Sequence, residues 1–136
     1  MDCLFCKIVK GEIPAAKIYE DENVLAFLDV NPDSKGHTLV IPKQHAQDIF
    51  DIEKESLQKV FIAAKIIAQK LKDSLHADGI NLMQANGKAA NQVVMHFHLH
   101  LIPRYQNDSL IIHGHRPKED EKPSFAKLQD IAKKIK

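Results

Sequence analysis

The chain has 136 residues, 44% of them apolar, and its 19 basic residues nearly balance its 18 acidic ones. This length suits one domain with a single core, and the charge balance excludes intrinsic disorder and a strongly basic nucleic-acid-binding surface. No apolar run approaches the roughly 20 residues that cross a membrane, so we expect neither a membrane nor a nucleic-acid partner.

The chain begins with MDCLFCK, which contains both of its cysteines, Cys3 and Cys6, as a CxxC motif. This start lacks the basic and apolar regions of a signal peptide, so we expect a cytoplasmic protein with reduced thiols. A CxxC pair supplies half of a four-ligand zinc site, which two histidines would have to complete. The alternatives are a redox dithiol, disfavoured because no βαβ pattern surrounds the motif, and two small buried thiols.

Extended segments separated by turn signals occupy residues 17–42. They read KIYE, VLAFLDV and HTLVIP, with the turn-like NPDSKG before the last, and they predict a small antiparallel meander. A long amphipathic helix follows between residues 51 and 72, where apolar residues recur every three or four positions. Ile62, Ala63 and Ile66 widen its apolar stripe, which indicates either a deeply buried helix or a second packing surface such as a dimer interface.

The rest of the chain predicts two more strands and a final helix. GINLMQAN and VVMHFHLHLIP indicate strands on either side of the loop NGKAANQ, and residues 124–135 indicate an amphipathic helix capped by Ser124. Runs of strands separated by one long helix favour an α+β fold over a parallel α/β sheet. We therefore expect one domain over residues 1–136, with an antiparallel sheet of about five strands, one long packed helix and a C-terminal helix.

Three of the eight histidines, His96, His98 and His100, occupy alternate positions of MHFHLHLIPRY. Side chains alternate across a strand, so the three imidazoles share one face and the apolar residues between them share the other. Positions four apart are separated by roughly 13 Å, so the three rings cannot readily close on one small ion. An extended anion such as phosphate suits them better, because each ring can donate a hydrogen bond, act as a base or attack as a nucleophile. The alternative is three solvated histidines.

The segment HFHLHLI fits the pattern H-φ-H-φ-H-φ-φ, where φ is apolar, and the chain thereby resembles the histidine triad (HIT) family. Further segments resemble its bacterial Hint-like branch and follow the same order: CLFCKIVKGEIPAAKIYEDE, AFLDVNP, GHTLVIPKQH and NGKAANQVVMHFHLHLIPR. The resemblance covers residues 1–105 and implies a HIT-like fold and a homodimer, with residues 106–136 as a C-terminal extension.

The resemblance also implies a nucleotide-binding hydrolase that cleaves at the α-phosphate of purine nucleoside monophosphate conjugates, of the adenosine phosphoramidate type. The resemblance makes His96, His98 and His100 the catalytic residues. Among them, His98 matches the nucleophile that forms a covalent nucleotidyl-histidine, which water then hydrolyses. His100, Asn86 and Gln92 match groups around the phosphate. Asp29 matches the acid that binds the ribose hydroxyls.

In zinc-carrying relatives of this branch, two histidines that match His45 and His96 complete the CxxC pair. The resemblance therefore implies a structural zinc ion held by four residues, which are Cys3, Cys6, His45 and His96. Of the three catalytic histidines, His96 would then bind the metal, while the neighbouring His98 would act as the nucleophile.

Two residues depart from the family pattern. Asn91 stands where many relatives have Gly, and Val93 stands where some have Ser. Asn tolerates left-handed backbone conformations, so we expect the loop to survive the first change. The second change removes a hydroxyl near the leaving group, which leaves the discrimination among leaving groups open.

The remaining histidines carry no comparable pattern. His37 and His76 are expected to be core or surface residues. His113 and His115 form a second H-x-H, but the neighbouring Gly and Pro favour a loop.

Three other functions use the same residues. A dinucleoside polyphosphate hydrolase would act on a longer leaving group, and a nucleotide-binding scaffold with little turnover would use the wide helical stripe as its partner surface. An H-x-H iron or copper enzyme is disfavoured, because no carboxylate follows His96 or His98 at short range to complete a facial triad.

Overall fold

The computed structural model describes residues 2–110 and 122–136, so the pair His113 and His115 lies outside the described residues. The elements in chain order are helix α1 (Leu4–Val9), strands β1 (Lys17–Glu20), β2 (Val24–Leu28) and β3 (Thr38–Pro42), helix α2 (Lys54–Leu75), strand β4 (Gly79–Met83), a 3-10 turn (Lys88–Ala90), strand β5 (Leu99–Arg104) and helix α3 (Phe125–Ile135). All paired strands are antiparallel, in the order β1-β2-β3-β5-β4. The predicted α+β fold with a five-stranded antiparallel sheet, a long helix and a C-terminal helix is confirmed. Within the described ranges, no helix combines the length and apolarity that a membrane crossing requires.

The sheet carries a separate apolar cluster on each face. Because side chains alternate along β2, Val24, Ala26 and Leu28 pack with α2 and α3, whereas Leu25 and Phe27 pack with α1. Every residue of β2 and β3 is buried, which explains why both strands read as nearly continuous apolar runs. The short helix α1, which the sequence did not predict, therefore covers the face opposite to α2.

Strand β5 is shorter than the prediction over residues 93–103, because it begins only at Leu99. Both neighbouring strands reach it from there on: β3 pairs with residues 99–101 and β4 with residues 100–104. The preceding segment bonds instead to the chain after β3, where the Phe97 amide donates to the Ala46 carbonyl at 2.7 Å. The alternation nevertheless persists through this segment, since Phe97 and Leu99 are both buried in the cluster under α2.

Helix α2 extends three residues beyond its predicted end and stops at His76, whose backbone is left-handed with φ 53°. The widened apolar stripe divides between two environments: Ala63 is buried, whereas Ile62 and Ile66 are exposed. Exposed Phe61 lies beside them in the sequence. A helix buried on all sides is therefore the wrong interpretation, and an exposed apolar strip remains on α2.

We expect Gly36→Ala to destabilise the protein more than Gly11→Ala, by roughly 1–2 kcal/mol. Both glycines have positive φ, 88° and 80°, so both variants carry the same backbone strain. A Cβ on Gly36 would overlap the Leu75 side chain, whereas a Cβ on Gly11 meets open space. Urea denaturation of the two variants measures the difference, and equal free energies of unfolding would show that Leu75 simply moves aside.

Candidate functional site

A cavity of about 580 Å³ lies beside α1 and beside residues 96–100, which carry the three alternate histidines and are called the triad segment below. Its apolar lining comes from several elements, including α1, residues 13–16 before β1, the end of β2 and residues 93–94, and Phe125 and Leu128 of α3 also reach it. The polar side chains that line it are Asp29, Asn31, Asp33, His37, Gln84, Asn86, Asn91, His98 and His100. This combination of an apolar wall and a few convergent polar groups is typical of a small-molecule site.

The structure separates the three alternate histidines into two environments. His98 and His100 line the cavity, with their ring centroids 5.0 Å apart. His96 is fully buried and does not line the cavity; its ring lies 4.9 Å from that of His45. The cavity therefore receives two imidazoles of the row, and the third belongs to a neighbouring cluster.

A backbone contact fixes the tautomer of His98. The ring nitrogen Nδ1 lies 2.7 Å from the His96 carbonyl oxygen, and because a carbonyl only accepts, Nδ1 carries the proton and donates. The other nitrogen, Nε2, is therefore unprotonated in the neutral ring. Burial lowers the pKa of His98, which favours this neutral form. An imidazole with an unprotonated Nε2 at a cavity has the chemistry of a nucleophile or a base.

A second chain of hydrogen bonds fixes the tautomers of His37 and His100. The Asp33 amide donates to Nδ1 of His37 at 2.9 Å, so Nε2 of His37 carries the proton. That nitrogen lies 2.9 Å from Nδ1 of His100 and donates to it, which leaves the proton of His100 on its Nε2. His100 is thereby set as a hydrogen-bond donor.

The sequence did not assign a functional position to His37. Of the two positions expected for it, core or surface, the structure shows the core one, since His37 is only 2% exposed, but its ring also lines the cavity. The cause is the strand register: Leu39 of β3 pairs with His100 of β5, so the residue just before β3 lies beside the triad. The motif GHTLV contains the relevant histidine, but the sequence does not reveal that register.

Asp29 lies at the end of β2 and faces the same pair of rings. Its carboxylate Oδ2 is 3.5 Å from Nε2 of His37, and its Oδ1 accepts from the Asn31 amide at 2.8 Å. Ligand atoms of Asp29, His37 and His100 all lie within 4.8 Å of one another, a spacing that a metal ion could bridge. However, a metal would need an unprotonated nitrogen from both rings, and the proton that His37 donates to His100 occupies that position.

The two amides predicted near the phosphate differ in their surroundings. Asn86 lines the cavity, where its Oδ1 accepts from the Ile49 amide at 2.8 Å and its Nδ2 donates to Gln84 at 2.7 Å. Gln92 is buried, accepts from the Gly87 amide and donates to the Gln47 carbonyl, both at 2.7 Å. Gln92 thus supports the loop backbone and does not line the cavity, so its contact with a phosphate stays a prediction.

The two departures from the family pattern, Asn91 and Val93, both line the cavity. Asn91 adopts the left-handed conformation with φ 68°, so the expectation that asparagine can replace glycine there is confirmed. Val93 is 62% exposed and lines the cavity. The cavity therefore presents two methyl groups where some relatives present a hydroxyl.

The predicted zinc ligands converge in a cluster next to the cavity. Ligand atoms of Cys3, Cys6, His45 and His96 all lie within 4.8 Å of one another. Tetrahedral zinc, with Zn–S near 2.3 Å and Zn–N near 2.0–2.1 Å, separates sulfur from nitrogen by about 3.6 Å and two nitrogens by about 3.4 Å. The sulfur–nitrogen distances here are 3.4–3.6 Å, and the two Nδ1 atoms are 3.2 Å apart. The four residues therefore fit zinc by donor type and by spacing.

The tautomer of His96 also fits a metal ligand. Its Nε2 lies 2.8 Å from the Pro42 carbonyl oxygen and donates to it, so Nδ1, which faces the two sulfurs, is unprotonated. A ring held in this way by a backbone carbonyl is the usual support of a metal-bound histidine.

The burial of His37 predicts that the free energy of unfolding depends on pH. Burial, with a smaller contribution from His98, lowers the pKa of His37 from 6.5 to about 4. Between those values the unfolded ring binds a proton and the folded ring does not, so this stabilisation is complete above pH 6.5 and is lost as pH falls towards 4. We expect His37→Gln to remove a pH-dependent change on the order of 3 kcal/mol. Urea denaturation from pH 4 to 7 measures it, and parallel curves for wild type and variant would contradict the assignment.

Comparison with known proteins independently supports the resemblance to the histidine triad family. A family model described as HIT domain matches residues 10–107. The protein hit of Bacillus subtilis is 48% identical over 104 residues, which are 76% of this chain and 72% of that protein. Adenosine 5'-monophosphoramidase HNT1 of Saccharomyces cerevisiae is 41% identical over 126 residues, which are 93% of this chain and 77% of that protein.

A solved structure of a zinc-bound protein resembles the fold of this chain. The crystal structure of a zinc-bound histidine triad family protein from Mycobacterium smegmatis has a TM-score of 0.81 and 42% sequence identity. The similarity covers 99% of this chain and 96% of that one, so it includes α3, which lies beyond the residues matched by the family model.

Proposed function

The chain belongs to the histidine triad family, and from that premise we propose that it hydrolyses purine nucleoside monophosphate conjugates of the adenosine phosphoramidate type. The observation that carries the proposal is the state of His98, whose proton is held on Nδ1 by the His96 carbonyl while Nε2 is unprotonated beside the cavity. The yeast relative named as an adenosine 5'-monophosphoramidase supports this substrate class.

The proposed reaction has two steps. Nε2 of His98 attacks the α-phosphorus, a nitrogen–phosphorus bond forms to the ring, and the bond to the leaving amine breaks as that amine takes up a proton from solvent. Water then cleaves the nucleotidyl-histidine, which releases the nucleoside monophosphate and restores the free ring. His100, set as a donor by His37, stabilises the charge on the phosphoryl oxygens, and Asn86 lies on the same cavity.

The remaining cavity groups suit a nucleoside. The Asp29 carboxylate accepts from ribose hydroxyls, and the wall formed by Leu4, Phe5, Ile8 and Phe27 offers an apolar surface to a purine ring. A base held against this wall would leave the α-phosphate free to lie near His98 and His100.

Mass spectrometry of protein quenched during turnover of an adenosine phosphoramidate tests the proposal. We expect an adenylyl adduct on the peptide that contains His98, and none in His98→Ala. Nucleotide binding without an adduct or turnover would favour the scaffold function instead. Faster turnover of a dinucleoside polyphosphate than of the phosphoramidate would favour that substrate class.

Asp29→Asn should raise KM for a ribonucleotide substrate by roughly 10- to 100-fold, because a hydrogen bond to a charged acceptor contributes about 1.5–3 kcal/mol. The amide can still accept from Asn31, so the turn after β2 is retained. The matched comparison is a 2'-deoxynucleoside substrate, for which the variant and the wild type should differ much less. An equal rise in KM for both sugars would contradict the assignment of Asp29 to the ribose.

We further propose that Cys3, Cys6, His45 and His96 hold a structural zinc ion. A bound zinc would join the N-terminal segment to the loop after β3 and to the triad segment. Its support is the fit of the four ligand atoms and the zinc-bound relative from M. smegmatis.

We also propose a homodimer. The exposed apolar residues Phe61, Ile62 and Ile66 on α2, together with exposed Leu82 on the edge strand β4, support a packing surface there. Sedimentation at micromolar concentration tests the stoichiometry, and a monomer under those conditions would contradict it.

A further inference from the structure

Helix α1 belongs to the metal cluster and to the cavity at once. Its N-cap Cys3 and its residue Cys6 are two of the four cluster residues. Between and beyond them, Leu4, Phe5 and Ile8 line the cavity. Residues 3–8 therefore supply half of the proposed zinc ligands and part of the apolar wall that the proposed function assigns to the base.

Phe5 connects the two sites by direct ring contacts. Its ring meets that of His98 edge-on, with centroids 5.3 Å apart and planes at 90°, and meets that of His96 at 5.9 Å. Phe5 is buried and also packs edge-on against Phe27 at 5.4 Å. A movement of α1 would thus displace both the apolar wall and the ring that supports the proposed nucleophile.

The position of α1 depends strongly on its few attachments. A six-residue helix does not hold its conformation by propensity alone. Apart from packing in the small cluster on this face, its start is held by Cys3, whose sulfur accepts from the Cys6 amide at 3.4 Å. The ion pair Lys7–Asp2 is exposed and contributes little. Bonds from both sulfurs to a shared metal would be the strongest link between α1, the His45 loop and the triad segment.

On these grounds, and resting on the proposed function, we propose that zinc and nucleotide bind with positive cooperativity through α1 and Phe5. Zinc fixes the helix, the fixed helix holds the wall against the base, and Phe5 holds the His98 ring. By linkage, a nucleotide in the cavity must strengthen zinc binding by the same factor by which zinc strengthens nucleotide binding. Couplings between such adjacent sites are commonly 5- to 150-fold, and we expect about tenfold.

The test measures both halves of this linkage on the full chain, with AMP as the probe. Calorimetry gives the AMP affinity of zinc-loaded and chelator-treated protein, and competition with a chromophoric chelator gives the zinc affinity with and without saturating AMP. We expect zinc to raise the AMP affinity about tenfold, and saturating AMP to raise the zinc affinity by the same factor. Because the zinc-free protein can unfold, the rate of zinc loss from the loaded protein provides a second measurement, and saturating AMP should slow it severalfold.

Two variants separate the proposal from simpler explanations. Phe5→Leu retains an apolar side chain but removes the ring edge. It should keep its zinc affinity, and the factor by which each ligand strengthens binding of the other should fall towards one. Asp29→Asn is expected to bind AMP weakly, so the same AMP concentration should not slow its zinc loss, and this result would show that the slowing requires AMP bound in the cavity.

Normal AMP binding with ratios of one would overturn the coupling and leave the proposed function intact. Undiminished coupling in Phe5→Leu would overturn Phe5 as its route. Failure of the zinc-loaded protein to bind AMP would overturn the proposed function and the coupling together.

Discussion

Replacing His98 by alanine should lower kcat/KM for an adenosine phosphoramidate by at least about 10⁴-fold, as expected when a nucleophile that forms a covalent intermediate is removed. The alanine has no Nε2, so the first transfer has no acceptor for the phosphorus. The proposed function assigns the base and ribose contacts to other cavity residues, such as Phe5 and Asp29. AMP affinity should therefore change only severalfold, and steady-state kinetics with calorimetry measures both quantities.

A matched control for this variant is His76→Asn. His76 is an exposed histidine at the end of α2, and asparagine tolerates its left-handed backbone. Its kcat/KM should stay within about twofold of wild type by this reasoning. If His98→Ala kept more than a tenth of the wild-type kcat/KM, covalent catalysis at this ring would be wrong.

Cys6→Ser should lower the melting temperature by about 10 °C in the presence of zinc. An ion present at about a thousand times its dissociation constant stabilises the folded state by ~4 kcal/mol, and in a chain of this size each kcal/mol corresponds to roughly 2–4 °C. A serine hydroxyl is a poor zinc ligand, so the variant loses most of this stabilisation.

The chelator response distinguishes this prediction from the two other readings of the CxxC motif. A strong chelator should lower the melting temperature of wild type by a similar amount and should have little effect on Cys6→Ser. If Cys3 and Cys6 were only small buried thiols, the chelator would change neither protein. If they were a redox dithiol, a reductant rather than a chelator would shift the melting temperature of wild type.

Local patterns predicted the parts of the fold whose cause is local. The period of α2, the Ser124 cap of α3 and the alternation around His98 are each written in adjacent residues, and each is present in the structure. The α1 helix was missed because six residues show too little periodicity, and its position depends on packing against the sheet and on the cysteine cluster.

The parts of the site that sequence patterns missed depend on strand register. His37 reaches His100 only because β3 and β5 pair with Leu39 opposite His100, and no short motif encodes that offset. The burial of Gln92 depends on another long-range contact, because its Nε2 donates to the carbonyl of Gln47, 45 residues earlier in the chain. The convergence of Cys3 and Cys6 with His45 and His96 was predicted because the family resemblance supplied this pairing, which spacing alone did not.

The tautomer of the His100 imidazole is set, at the far end of a relay through His37, by a main-chain group, the Asp33 amide. Every genetically encoded amino acid except proline supplies that N–H, so this hydrogen bond does not itself depend on the side chain at this position. The Asp33 carboxylate lies farther from the ring, with its Oδ2 4.0 Å from Nδ1 of His37. The backbone geometry of this loop, which directs the Asp33 N–H at the ring, therefore sets the tautomers at this end of the relay.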